Sequence, residues 1–193
     1  MSSEDNIWET RYQVGSTGWD RGSSSINLSY WLDNDLLKPC RILIPGCGNG
    51  YEVLTLAKRG FDVVAIDIAP SAINNLQTML DEQNLTAKLV LGDFFTWQPN
   101  LKFDAIFEQT SLCALPPELW EQYEKQLFSW LKSQAKLFAQ FMQTGKEGGP
   151  PFHCELKDMS ELFSTTKWTW SEEYISQEKE PGMTERLFML DKI

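Results

Sequence analysis

The chain has 193 residues, 42% of them hydrophobic and 23% charged, a composition that fits one soluble globular domain and excludes wholesale disorder. Its formal net charge of −10 argues against a phosphate-backbone partner, which would need a basic surface. No apolar run approaches the ~18–20 residues that span a bilayer, and four scattered cysteines (Cys40, Cys47, Cys113, Cys154) with one histidine make a metal site or a disulfide scaffold unexpected.

In chain order, residues 4–14 place Ile7, Trp8, Arg11 and Tyr12 at helical spacing, ahead of Gly15 and Gly18. The opening residues have neither the basic start nor the apolar stretch of a secretory signal, so a cytoplasmic protein is expected. A helix is predicted from about Asn27 to Leu37, stopping before Pro39. Arg41–Pro45 is a short apolar strand that ends abruptly in Gly46-Cys47-Gly48-Asn49-Gly50. A helix follows with Tyr51, Val53, Leu54 and Leu56 on one side, ended by Gly60. Phe61–Asp67 reads as a buried strand, and Pro70–Glu82 as a helix with proline in its first turn.

The alternation continues. Ala87–Leu91 and Phe103–Phe107 are strand-like, and Pro117–Leu131 carries a helical apolar face of Leu119, Trp120, Tyr123, Leu127 and Trp130. Residues 136–142 form another strand, 145–152 a loop, and Leu156–Phe163 a short helix. Two β-rich runs, Trp168–Ile175 and Glu185–Leu190, could pair as a hairpin. Strands alternating with helices predict an α/β fold with a mostly parallel sheet and helices on both faces. There is no internal repeat, low-complexity tract or linker, so a single Rossmann-like domain spanning 1–193 is expected.

An apolar strand running into a glycine-rich turn and then a helix is an arrangement that binds a nucleoside-containing cofactor. Glycines permit the tight turn and let a ligand approach the backbone, while the helix start offers unpaired N–H groups. The spacing is GxGxG, not the GxGxxG of dinucleotide binders, which weakens a nicotinamide reading without removing it. Asp67 closes the second strand 21 residues beyond Gly46, where a carboxylate can accept from ribose hydroxyls. Gly92-Asp93-Phe94-Phe95 follows the third strand; Asp93 could accept an adenine amino group and Phe94 pack on the ring, or Asp93 could simply cap a turn. Glu108 and Gln109 end the fourth strand, at the carboxyl edge where open α/β sheets bind ligands.

With these pieces assembled, the chain resembles the thiopurine S-methyltransferase family, especially its thiol and halide methyltransferase branch. The resemblance runs through Trp8-Glu-Thr-Arg-Tyr12, Gly18-Trp-Asp-Arg-Gly22, Ile44-Pro-Gly-Cys-Gly-Asn-Gly-Tyr51 and Asp67-Ile-Ala-Pro-Ser-Ala-Ile73. It continues through Gly92-Asp-Phe-Phe-Thr-Trp97, Phe103-Asp-Ala-Ile-Phe107, Leu112-Cys-Ala-Leu-Pro-Pro117 and Gly148-Gly-Pro-Pro-Phe152. It implies S-adenosylmethionine as cofactor, S-adenosylhomocysteine as product, and a seven-stranded sheet whose last strand is antiparallel. It also implies an N-terminal lid over residues 1–25 and an active-site loop over 145–155. By position, the cofactor contacts fall on Trp8, Trp19, Gly46, Cys47, Gly48, Gly50, Asp67, Ile68, Asp93, Phe94, Glu108 and Gln109. Acceptor contacts fall on Trp19, Gln109 and Phe152; no catalytic acid, base or nucleophile and no metal ligand is assigned.

Gln109 stands where members of the family often carry Tyr or Arg, so acceptor activation differs here. The segment after Trp130 lacks the glycine usual before the next strand, and the region after 165 matches poorly. Plainer readings remain: Trp8 and Trp19 as core aromatics, Asp20 as a turn cap, Cys47 and Cys113 as small packing residues, Arg11 and His153 as surface groups. The expected activity is methyl transfer to a small soft nucleophile (a thiol, a thiopurine-like thiol, a halide or a chalcogen species) by a monomer with a small-molecule acceptor and no nucleic-acid or membrane partner. The alternatives are a cofactor-binding protein without turnover, motivated by Gln109, and a nicotinamide-dependent oxidoreductase, motivated by the glycine turn and Asp67 alone.

Overall fold

A computed structural model describes residues 5–174 and 183–193 of the chain. Residues 1–4 of the expected lid and Ile175 at the end of one β-rich run lie outside the described residues. The chain divides into two compact units, Met1–Gln98 and Pro99–Ile193. Its seven strands belong to one mixed, mostly parallel sheet of the Rossmann-like α/β class.

The first unit contains α1 (Asp5–Gln13), α2 (Ile26–Asp33), β1 (Arg41–Pro45), α3 (Tyr51–Lys58), β2 (Asp62–Asp67), α4 (Pro70–Glu82) and β3 (Lys88–Leu91). Its strands run in the order β3-β2-β1, all parallel, with Leu43 beside Val64 and Ala65 beside Leu89. Ile42, Leu43 and Ile44 are all buried, as are Val63, Val64, Ala65 and Ile66, because a parallel sheet covered on both faces needs apolar side chains at successive positions. α4 buries Ala72, Leu76 and Leu80, four residues apart, and exposes Asn74, Asn75, Gln77 and Thr78 between them. Each such leucine contributes roughly 1.5–3 kcal/mol of burial.

α2 ends at Asp33, four residues short of the predicted Leu37. Asp35 turns left-handed at φ +58°, and the N–H groups of Leu36 and Leu37 both return to the Trp31 carbonyl, closing the helix before Pro39 can.

The second unit contains β4 (Phe103–Gln109), a 3₁₀ turn at Leu112–Ala114, α5 (Trp120–Trp130), β5 (Leu131–Gln143), α6 (Leu156–Leu162), β6 (Trp168–Trp170) and β7 (Thr184–Lys192). Its strands run in the order β4-β5-β7-β6, with β4 and β5 parallel and β7 antiparallel to both β5 and β6. The predicted pairing of the two C-terminal β-rich runs is present, with Trp168 opposite Lys192 and Trp170 opposite Leu190. The predicted helical face of α5 is buried through Trp120, Tyr123, Leu127 and Trp130, after a 3₁₀ turn over Pro117–Leu119.

β5 begins at Leu131, five residues before the predicted start. The register shifts between Phe103 and Ala105, and Gln134 takes φ +61° in the stretch where the resemblance leads one to expect a glycine. The left-handed turn is kept without the residue that usually marks it, so no glycine signal announces the early strand.

Candidate functional site

The first unit builds the glycine turn from the end of β1. Gly46, Gly48 and Gly50 all have positive φ. Gly50 has φ +72°, and a Cβ there would meet the Leu76 side chain at 2.5 Å, so this glycine lets α3 pack against α4. Gly48 carries a different constraint: a Cβ on it would stand 3.1 Å from the Tyr12 hydroxyl, which lies over the turn.

Asp67, at the end of β2, holds the turn in place. Its Oδ2 accepts the Gly48 N–H at 2.8 Å and its Oδ1 accepts the Ala69 N–H at 2.9 Å. Burial pushes its carboxyl above the usual range, opposed by the backbone donors at Ala69, Gly48 and Ile68. The Asp67 carbonyl accepts the Gly92 N–H at 3.0 Å, which ties the loop after β3 to the same strand end. There Asp93 does cap a turn: Oδ1 accepts the Phe95 N–H at 2.8 Å and its carbonyl accepts from Thr96 and Trp97. Phe94 and Phe95 meet edge to face at 5.6 Å. Cys47 is buried, and desolvation followed by the Asp67 charge raises its thiol well above the ordinary value, which favours the neutral thiol over the thiolate.

The N-terminal segment is fastened over this turn at two points. The Glu9 carboxylate accepts the Ser71 N–H at 2.9 Å and the Ser71 hydroxyl at 2.7 Å, at the start of α4. Asp20 accepts the Gly22 N–H at 2.9 Å through Oδ1 and the Asn49 side-chain amide at 2.5 Å through Oδ2. It is therefore a turn cap that also grips the glycine turn. Between these ties, Trp8 and Trp19 stand edge to face at 5.2 Å, and Tyr12 meets Trp19 at 5.8 Å. The Arg11 guanidinium lies 5.0 Å from the Trp8 ring and 5.8 Å from the Trp19 ring.

Sequence reasoning missed Tyr12 as a site residue, although its position four residues after Trp8 puts both on one helix face. It also missed Asn49, whose side chain joins Asp20 to the turn while its carbonyl oxygen accepts from Asn75 at 3.1 Å. Burial and then the Asp67 charge raise the Tyr12 phenol, so it is a neutral O–H group at working pH.

In the second unit, Glu108 is 1% exposed. Its Oε1 accepts the Leu112 N–H at 2.7 Å, and burial pushes its carboxyl up to about 7, against the pull of the Leu112 and Ser111 donors. Gln109 follows at the strand end, half-buried, and Thr110 turns left-handed at φ +58°. Phe152 is placed by its backbone, its N–H donating to the Cys113 carbonyl at 2.7 Å. His153 is a loop clamp: Nδ1 accepts the Thr144 and Gly145 N–H groups at 3.0 and 3.2 Å, which puts its proton on Nε2, 3.4 Å from Glu155. Cys113 and Cys154 are buried, with thiols raised chiefly by desolvation.

Comparison with known proteins follows the same lines. The thiopurine S-methyltransferase (TPMT) family profile matches residues 3–187. Thiocyanate methyltransferase 1 of Brassica oleracea is 33% identical over 152 residues, 77% of this chain and 67% of that protein. Thiopurine S-methyltransferase of Xanthomonas axonopodis pv. citri is 26% identical over 176 residues, covering 82% and 81%. Among solved structures, the magnesium protoporphyrin IX methyltransferase of Synechocystis PCC 6803 superposes with a TM-score of 0.77 at 14% identity, over 100% of this chain and 99% of that one. The 1,6-didemethyltoxoflavin-N1-methyltransferase of Burkholderia thailandensis reaches 0.78 at 15% identity, over 97% and 86%. The chain belongs to the thiopurine S-methyltransferase family of S-adenosylmethionine-dependent enzymes.

Proposed function

We propose that this protein transfers the methyl group of S-adenosylmethionine to a small soft nucleophile: a thiol, a thiopurine-like thiol, a halide or a chalcogen species. The observation that carries the reading is the glycine turn held by Asp67 with an aromatic group fastened over it. The residues fit the cofactor. A carboxylate has about four lone-pair positions, and Asp67 uses three at most on backbone donors, leaving one for a ribose hydroxyl. Gly48 keeps the backbone open to a ligand, and Asp93 and Phe94 border the same strand end.

When bound, the cofactor supplies an electrophilic methyl on a sulfonium cation. Trp8 and Trp19 offer aromatic faces to that cation, an interaction worth roughly 0.5–2 kcal/mol, and they exclude water. The chain's remaining contribution is positioning, which can lower a barrier by several kcal/mol. Gln109 and Phe152 are assigned to the acceptor, Gln109 as a hydrogen-bonding group that carries no charge. Residues 1–25 act as the lid and 145–155 as the acceptor loop. A soft anion needs no general base, which suits a site whose one histidine is occupied as a clamp.

The relatives' names support a soft acceptor, one a thiocyanate and the other a thiopurine methyltransferase. Our reading has the protein work as a monomer in the cytoplasm on a small molecule. The charge of −10 supports the absence of a nucleic-acid partner. Among the described residues, no helix is long and apolar enough to cross a membrane. The test is isothermal titration with S-adenosylhomocysteine: Asp67→Ala is expected to raise Kd roughly 10- to 100-fold, the value of a charged hydrogen bond. An unchanged Kd would remove Asp67 from the site.

A further inference from the structure

We propose that Glu108 is a positioning residue for the acceptor side: its buried carboxylate holds the Leu112–Ala114 turn, and that turn holds the Phe152 loop. The proposal rests on the reading of 145–155 as the acceptor loop and deepens it. It gives Glu108 a role through another residue in place of direct contact with the cofactor.

The geometry is a relay of two short hydrogen bonds inside the second unit. Glu108 Oε1 accepts the Leu112 N–H at 2.7 Å, and one residue on, the Cys113 carbonyl accepts the Phe152 N–H, also at 2.7 Å. The Trp120 indole N–H reinforces the turn by donating to the Leu112 and Leu115 carbonyls, each at 3.0 Å. Gly149 of the same loop lies close against Phe152. A Cβ on Gly149 would stand 2.6 Å from the Phe152 ring and 2.7 Å from its backbone nitrogen, the same nitrogen that donates to Cys113. The far end of the loop is tied separately, by the Cys154 N–H to the Met142 carbonyl at 2.8 Å and by the Gln143 side-chain amide to the Cys154 carbonyl at 2.6 Å.

Glu108 is a poor choice for packing alone. Among the described residues, its Oε2 is buried and makes no hydrogen bond. Besides the Leu112 and Ser111 donors, Cys113, Tyr123 and Cys154 bear on it, none of them a cation. A half-paired buried carboxyl is unfavourable where an apolar side chain of similar size would not be. What a leucine there would lose is the hold on Leu112 and, through Cys113, on Phe152. Because Gln109 is the next residue, the same strand end sets both acceptor-side candidates.

The experiment compares Glu108→Leu, Glu108→Gln, Gly149→Ala and the Glu108→Leu/Gly149→Ala double variant. Three quantities are read: KM and kcat for iodide and thiophenol, Kd for S-adenosylhomocysteine, and amide hydrogen exchange at Leu112 and Phe152. Glu108→Leu is expected to raise acceptor KM about tenfold while Kd moves less than about twofold, and to speed exchange at Phe152 as well as Leu112. Glu108→Gln keeps an oxygen for Leu112 and is expected to fall between the parent and Glu108→Leu on all three. The double variant is expected to be little worse than Glu108→Leu alone, because both changes break one relay.

Kd rising in step with KM would make Glu108 a cofactor contact and overturn the proposal; so would additive effects, or Phe152 exchange left unchanged. If Glu108→Leu does not fold, Glu108→Gln and Gly149→Ala carry the same comparison. A parent enzyme that binds S-adenosylhomocysteine yet methylates neither acceptor would count against the acceptor reading, whereas the exchange measurement would still decide the relay.

Discussion

A carboxyl shielded from water reports its burial through pH. The folded state holds a proton on Glu108 up to about 7, whereas the unfolded chain releases it near 4.5. Between those values the folded state binds more protons than the unfolded one, so this group's contribution makes stability fall as pH rises through the window. The effect is on the order of 3 kcal/mol across the window. Glu108→Gln is expected to flatten that part of the profile in thermal melts, and profiles that run parallel for parent and variant would contradict it. Gly50 gives a second residue-scale expectation. Alanine there meets Leu76 and is forced to φ +72°, which together should destabilise the fold by about 2–4 kcal/mol in urea titrations. A loss under about 1 kcal/mol would mean that α3 and α4 adjust freely. These two positions differ in how visible they are from sequence. A glycine between strand and helix announces its backbone; a glutamate at a strand end announces a place at the carboxyl edge of the sheet, but not that its carboxyl is buried against the Leu112 turn.

At the scale of elements, β1, β2, α4 and α5 were legible because their apolar spacing is set by local burial. The place of Asp67 at the end of β2 was legible; that its carboxylate accepts the Gly48 and Ala69 N–H groups was not. The early start of β5 was hidden because Gln134 takes a left-handed conformation without being glycine. The edge-to-face pairing of Trp8 with Trp19 was not legible: spacing alone favours core aromatics, and the resemblance places both in the lid without pairing them. The structure adds how α1 is fastened. Ser71 is the anchor, donating twice to Glu9, and this contact lowers the Glu9 carboxyl below its usual value, chiefly through the Ser71 N–H. The latch is therefore complete at neutral pH and is lost as pH falls through that lowered value. Ser71→Ala should speed proteolysis within α1 severalfold while leaving the global unfolding midpoint nearly unchanged, because the tie is near the surface. A large global loss with no change in proteolysis would make α1 part of the core and not a lid.

For the molecule as a whole, the charge of −10 acts on both reactants. It attracts the cationic cofactor and repels an anionic acceptor over a range set by the Debye length, about 8 Å at physiological salt. Raising ionic strength with sodium sulfate should raise kcat/KM for iodide while leaving that for a neutral thiol nearly constant. The opposite order would mean that local charge around the acceptor overrides the global field. The measurement that bears most directly on the function is isothermal titration with S-adenosylhomocysteine, followed in the same preparation by methyl transfer to iodide, hydrosulfide and thiophenol. Binding that Asp67→Ala weakens, together with turnover of at least one of the three, is the expected result. No binding at millimolar S-adenosylhomocysteine would contradict the reading of the glycine turn, and binding without turnover of any acceptor would contradict its assignment to soft nucleophiles.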